Sequence, residues 1–332
     1  MSAPRVFVAR AIPARVRDLL RSACDLDVHD GPDDLPRPML LARVAPADAL
    51  ISVLTTRVDP ELLDAAPRLR VVANIAVGYD NIDLAAAAAR GLVVTNTPDV
   101  LTESVADFTV GLIFAMTRRI AEGDRLVRAG GWRGWALDFM LGSGLRGKQL
   151  GIVGLGRIGR AVSARAGVFG LEIVFADAAV GVGETVPAGA RRLSLDELFA
   201  SADIVSIHVP LTDATRHLVN ARRIGLMKPS AYLVNTARGP VVDEAALADA
   251  LRAGRIAGAA LDVYEREPVV HPGLLGLENV VLAPHLGSAT TETRTAMAEL
   301  AARNVLAVLR GDPPLTGVSP VPSGSRHAPG SA

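Results

Sequence analysis

The sequence contains one cysteine, Cys24, in 332 residues, which excludes an internal disulfide and suits a reducing compartment. Charge of one sign is missing too. The 35 Lys and Arg balance 35 Asp and Glu, so no net field draws the chain to nucleic acid or an anionic membrane. Aromatic residues are scarce at 4%, and the apolar runs are too short and too interrupted to span a bilayer. The opening Met1-Ser-Ala-Pro-Arg5 lacks the apolar core of a signal peptide, so a cytoplasmic location is expected, and no metal site is expected. What remains is a chain 50% hydrophobic and 21% charged, long enough for roughly two domains with a sizeable core.

The most informative stretch runs from Gln149 to Asp177. Leu150 to Val153 is a short apolar run, read as a buried parallel strand. Gly154, Gly156 and Gly159 follow in G-x-G-x-x-G spacing, and the next dozen residues are apolar at helical period without proline. The motif therefore sits where a strand turns into a helix, whose N-terminus offers N–H groups and a positive dipole end to a pyrophosphate. A second strand, Glu172 to Ala176, leads to Asp177, 18 residues past Gly159. A carboxylate there bonds the ribose diol and repels a 2′-phosphate, favouring NAD over NADP.

Around this stretch strands alternate with helices, which implies parallel sheets covered on both faces. Strands are expected at 5–9, 26–29, 49–54, 70–74 and 92–95, and helices at 14–23, 60–65 and 83–89. A long helix, 101–120, crosses to the next domain. Both tryptophans, Trp132 and Trp135, stand in one glycine-rich loop, read as a homodimer contact. Residues 179–189 read as a surface loop, 194–200 as a short helix with Ser194 and Glu197 in capping-box spacing, and 292–310 as an amphipathic helix. The Pro/Gly/Ser-rich 319–332 reads as a disordered tail. Further strands at 203–209, 230–235 and 256–261 end in polar residues, on the edge where a doubly wound sheet binds ligands. The loop Ala76-Val-Gly-Tyr-Asp80 also follows a strand end, and Gly78 would let backbone N–H groups approach a small anion; a plain turn capped by Asn81 or Asp83 fits those residues equally well.

The second half supplies an arginine after a strand, Arg238, an acid in Tyr264-Glu-Arg-Glu-Pro268, and a histidine in Pro284-His-Leu-Gly-Ser288. A redox enzyme for a 2-oxo acid uses these three types. A guanidinium holds the substrate's carboxylate and polarises its ketone, an imidazole delivers the proton, and a carboxylate on the second ring nitrogen orients the imidazole. Any one alone would more often be a surface ion pair or a satisfied loop histidine.

From Asn74 to Thr316 the chain resembles the D-isomer-specific 2-hydroxyacid dehydrogenases, especially their glyoxylate and hydroxypyruvate reductase branch. The resemblance is carried by Ala76-Val-Gly-Tyr-Asp-Asn-Ile-Asp83, the glycines 154–159, His208-Val-Pro-Leu-Thr212, Met227-Lys-Pro229, Asn235-Thr-Ala-Arg-Gly-Pro-Val-Val-Asp243, Ala259-Ala-Leu-Asp-Val-Tyr-Glu-Arg-Glu-Pro268 and Pro284-His-Leu-Gly-Ser288. It implies two doubly wound parallel-sheet α/β domains: a Rossmann cofactor domain, 99–288, inserted into a flavodoxin-like substrate domain, 1–98 with 289–318. It implies that Arg238 binds the substrate's carboxylate and carbonyl, that His285 is the acid/base, and that Glu267 is its partner, with Glu265 as a solvated rival. Cofactor contacts are expected from Gly154, Gly156, Arg157, Ile158, Gly159, Asp177, His208, Val209, Pro210, Thr215, Thr236, Ala237, Asp262 and Gly287. Substrate contacts are expected from Leu54, the backbone of Val77 and Gly78, Arg238 and His285, with Thr55 and Trp135 shaping the pocket for the substituent on carbon 3.

The chain departs from the NADPH-using relatives in having Ala178-Ala179 after Asp177 where they carry a basic residue, although Arg191 and Arg192 stand within reach in sequence. The expected activity is reversible reduction of glyoxylate or hydroxypyruvate to the D-2-hydroxy acid, with NAD favoured over NADP. Phosphite dehydrogenase is the alternative enzyme, but it has a lysine where this chain has Val77. Formate dehydrogenase would have a glutamine at the place of Glu267, and a nucleotide-sensing corepressor scaffold would share the fold.

Overall fold

A computed structural model describes residues 3–180 and 185–318. The expected tail, 319–332, and part of the expected 179–189 loop lie outside the described residues. The chain divides into two units: one holds the residues up to Leu101 and those from Thr290 onward, the other Thr102–Ala289.

The first unit carries β1 (Arg5–Val8), β2 (Asp25–Val28), β3 (Ala49–Ser52), β4 (Val71–Asn74) and β5 (Val93–Thr95). These form one parallel sheet in the order β2-β1-β3-β4-β5, the flavodoxin-like arrangement. The period-2 rule explains its two cores. Val6, Val8, Ile51 and Ala73 face one way, onto Ala298, Ala301, Ala302 and Val305 of the helix Thr291–Arg310; Phe7, Leu50, Val72 and Val94 face the other. The chain thus returns to this unit after completing the second. Asn304 secures the return, its side chain exchanging hydrogen bonds with Thr316 while the Thr316 hydroxyl donates to the Asn96 carbonyl.

The second unit carries β6 (Gln149–Val153), β7 (Glu172–Ala176), β8 (Arg191–Arg192), β9 (Ile204–Ile207), β10 (Tyr232–Asn235), β11 (Gly258–Leu261) and β12 (Val280–Leu282). All pair in parallel, in the order β12-β11-β10-β9-β6-β7-β8, the Rossmann order with one further strand. Its topological switch lies between β6 and β9, so ligand-binding loops follow the carboxyl ends of these strands. The helix capped by Ser194, Leu195–Ser201, has the full capping box expected.

Two differences from the sequence reading have local causes. The long helix expected over 101–120 ends at Thr117, and a second helix, Ile120–Arg128, starts after Arg119 turns to φ 54°. The Arg119 side chain forms a double hydrogen bond with Glu122, and this holds the left-handed residue that breaks the helix. The structure adds the helices Arg37–Val44 and Glu244–Arg252 and the strands β8 and β12, the strands only two and three residues long and so without a readable period.

Candidate active site

The glycine turn is built as its spacing requires. Gly154 follows β6 at φ 95°, and a Cβ there would lie 2.7 Å from the His208 carbonyl oxygen, so backbone of the neighbouring strand end leaves no room for a side chain. A Cβ on Gly159 would stand 2.2 Å from the Gly154 oxygen, which is how closely the helix packs on the turn. Gly156 is different: a Cβ there meets nothing within 4 Å, and it opens the twelve-residue helix Arg157–Val168 with no side-chain cap. A helix start with open space before it and no capping side chain fits a pyrophosphate.

Asp177 ends this half of the site. Its carboxylate accepts the N–H of Leu155 (2.6 Å), Ala179 (2.7 Å) and Val180 (3.1 Å). The carboxylate is thus oriented at the turn through the Leu155 N–H. Of the two arginines within reach in sequence, Arg192 comes to this turn: its guanidinium donates to the carbonyls of Asp177 (2.7 Å) and Val180 (2.8 Å).

The loop after β9 holds His208, whose amide donates to Val153 across the switch point and whose Nε2 lies 2.8 Å from the Ser206 hydroxyl. Desolvation lowers its pKa to about 4, so the imidazole is neutral at pH 7. Val209 and Pro210 follow, and the Thr215 hydroxyl donates to the Pro210 carbonyl (2.6 Å), closing the loop. After β10, buried Asn235 accepts the Ala237 N–H and donates to the Arg238 carbonyl, bonds of 3.0 and 2.9 Å that fix the turn presenting Arg238. Thr236 meets Thr109 at 2.9 Å.

The strand end after β11 gathers the chemistry. Glu267 Oε2 lies 2.9 Å from His285 Nδ1, and Glu267 Oε1 accepts the Tyr264 N–H at 3.1 Å. An ionised carboxylate only accepts, so Nδ1 carries the hydrogen and Nε2 is turned to other partners. Burial works to raise the Glu267 carboxyl, but the hydrogen bond and charge of His285, the Tyr264 N–H and the Arg238 charge outweigh it, leaving its pKa below the ordinary value. His285 itself sits at φ 54°, a conformation a non-glycine residue keeps only when its surroundings impose it. Asp262 imposes it: its carbonyl accepts the His285 N–H (2.9 Å) and its carboxylate the N–H groups of Leu286 (2.6 Å) and Gly287 (2.8 Å). Burial raises the Asp262 carboxyl, against those two N–H groups. Burial also pushes the Tyr264 phenol up to about 12; its hydroxyl donates to the Ala283 carbonyl at 2.9 Å.

Glu265 is not the solvated rival expected. Its carboxylate accepts the Glu244 N–H at 2.8 Å and lies 3.3 Å from His217 Nε2.

In the first unit, the Gly78 and Val77 carbonyls accept from the side-chain amides of Asn74 (3.0 Å) and Asn96 (2.8 Å), which orients the loop after β4. Leu54 borders a cavity of about 430 Å³ shared with Arg57 and Asp80. Sequence reasoning assigned no role to Asn74 or Asn235. The signal was present in both: an amide at the buried end of an apolar strand, placed to organise the loop beyond it. Among the described residues no group of three or more His, Cys, Asp or Glu is arranged to hold a metal, and no helix is long and apolar enough to cross a membrane.

A Rossmann sheet whose strand ends carry a glycine turn, an aspartate at the end of the second strand and a histidine–glutamate pair defines an NAD(P)-dependent dehydrogenase. Residues 110–287 match the family model of the D-isomer specific 2-hydroxyacid dehydrogenase, NAD binding domain, and the chain belongs to that family. It is 50% identical over 319 residues to the glyoxylate reductase of Thermofilum pendens, covering 95% of this chain and 94% of that one. With the glyoxylate reductase of Thermococcus kodakarensis it shares 48% over 317 residues, 94% of this chain and 95% of that one. The NADPH-dependent glyoxylate/hydroxypyruvate reductase of Sinorhizobium meliloti, solved with NADP and malonate, superposes with a TM-score of 0.85 at 38% identity, over 97% of this chain and 98% of that one.

Proposed function

We propose that this dehydrogenase reduces glyoxylate and hydroxypyruvate reversibly to the corresponding D-2-hydroxy acids. The observation that carries the reading is the Glu267–His285 pair, held by Asp262 at a strand end of the nucleotide-binding sheet. NADH, when bound, supplies the hydride that carbon 2 receives. Arg238 binds the substrate's carboxylate and draws electron density towards the ketone oxygen. His285 holds a proton on Nε2 and gives it to that oxygen as negative charge develops, and Glu267 stabilises the imidazolium before transfer. On this reading 99–288 is the cofactor domain, and 1–98 with 289–318 the substrate domain. Steady-state rates with glyoxylate, hydroxypyruvate, pyruvate and phosphite, each with NADH or NADPH (NAD or NADP for phosphite), test it. Turnover of phosphite alone, or of none of the four, would refute it.

NADH is the preferred reductant on this reading, because Asp177 offers two oxygens to a ribose diol and repels a 2′-phosphate. Arg192 leaves NADPH some access. Replacing Asp177 by Ser should raise the NADPH/NADH ratio of kcat/KM about tenfold or more, and Arg192→Ala should lower it in the wild-type background. An unchanged ratio in both variants removes these residues from cofactor choice.

The protein assembles as a homodimer through the segment around its two tryptophans. Trp135 and Leu137 are each 82% exposed, and Trp132, Phe139 and Leu141 are also exposed, a concentration of apolar surface that marks an interaction site. Leu137→Asp should convert a dimer to a monomer in light scattering after size exclusion. A wild-type monomer at micromolar concentration would refute the assignment.

A further inference from the structure

The catalytic glutamate lies on a loop that needs its own support. Glu244, the first residue of the helix Glu244–Arg252, is only 4% exposed, although an isolated carboxylate is costly to bury. Its carboxylate points back at the acid-bearing loop and accepts the Glu265 N–H at 2.6 Å and the His271 N–H at 3.2 Å. Glu265 returns the bond, its carboxylate accepting the Glu244 N–H at 2.8 Å. The two residues, 21 apart in sequence, therefore exchange carboxylate-to-amide bonds in both directions. Gly239 closes the contact from a third side: a Cβ there would lie 1.8 Å from the Tyr264 carbonyl carbon and 2.4 Å from the Glu265 nitrogen, so the turn after Arg238 lies directly on that peptide.

We infer that Glu244 and Glu265 form a reciprocal brace that positions Glu267 against His285 and ties the Arg238 turn to the same loop. The connection is short: Glu244 holds the Glu265 amide, the preceding Tyr264 amide donates to Glu267 Oε1, and Glu267 Oε2 meets His285 Nδ1. Glu244 and Glu265 are positioning residues on this account and touch neither substrate nor cofactor. Hydrogen bonds to backbone N–H suit the task, because they fix the position of the peptide itself and not only of a side chain. Burial raises the Glu244 carboxyl, opposed by the Glu265 N–H that it accepts, in keeping with a carboxylate enclosed by protein. The charged or titratable groups that face the supported pair are Arg238, Asp262 and Tyr264.

The inference rests on the proposed roles of Glu267 and His285, and the experiment separates the two. Glu265→Ala, at a partly exposed position where folding should survive, removes one half of the brace. The expected result is a fall in kcat of about tenfold for glyoxylate reduction, with the KM for glyoxylate and the nucleotide Kd each unchanged within about twofold. Glu265→Gln keeps an oxygen for the Glu244 N–H and should restore most of the loss. Glu244→Ala should give the same signature with a larger fall in Tm. A loss of Tm with kcat unchanged would reduce the brace to plain stability and overturn the inference. A Glu265→Gln variant as poor as Glu265→Ala would overturn it too, since charge rather than the bond to the amide would then matter. Glu267→Gln is the control for the underlying reading: if that variant keeps full activity, it is the catalytic assignment that fails.

Discussion

Arg238→Ala should lower kcat/KM for glyoxylate about a thousandfold, roughly 4 kcal/mol of transition-state stabilisation, while the nucleotide Kd stays within twofold. The asymmetry follows from the proposed role. The turn that carries Arg238 is fixed by backbone and by Asn235, and on the proposed reading the guanidinium is the part of this residue that meets the substrate. Arg238→Lys should recover little, because one ammonium cannot reproduce the fork that engages a carboxylate and a carbonyl together. Single-turnover rates with saturating NADH, beside a fluorescence titration of NADH, provide both numbers. Equal losses in rate and in nucleotide binding would show that Arg238 supports the cofactor and not the substrate.

The second large effect belongs to the histidine–glutamate pair. Glu267→Gln should lower kcat about a hundredfold, because the proton-donating imidazolium loses its anionic neighbour. The same pair leaves a signature in stability. Glu267 titrates below its ordinary value of 4.5 in the folded chain, since His285 and the Tyr264 N–H outweigh its burial. A carboxyl with a lowered folded pKa contributes stability that is fully present above the unfolded value and is lost as pH falls through the folded one. The Tm difference between wild type and Glu267→Gln should therefore be constant near neutrality and shrink below about pH 4.5. A difference that stays the same from pH 7 to pH 4 would mean that the bond between the two side chains contributes nothing to the folded state.

Much of this was legible in the sequence because it is written locally. The glycine spacing, the apolar runs on either side of it and Asp177 lie within 29 consecutive residues, and turn sterics demand glycine at Gly154 and Gly159 whatever the rest of the chain does. The strand–helix alternation follows from period and burial, and both parallel sheets came out in the orders such alternation builds. Arg238, Glu267 and His285 were recognisable as residue types after strands, and the motifs around them carried the family resemblance.

Pairing across the chain was not legible. Glu265 reads as a solvated acid until the fold brings Glu244 to its amide, and the hold of the Asp262 carboxylate on the histidine loop shows only in the fold. Arg119 shows no sign in composition of ending a helix; its left-handed turn is held by the double hydrogen bond to Glu122. What the sequence determined alone was therefore the nucleotide turn, the two sheets and the chemistry available to them, since short-range sterics and hydrophobic period act between neighbours. The tertiary structure decided which carboxylate supports the histidine and which supports the loop. A hydrogen bond is settled at about 3 Å in space, and residues twenty positions apart in sequence reach that distance only once the sheet has brought its strand ends together.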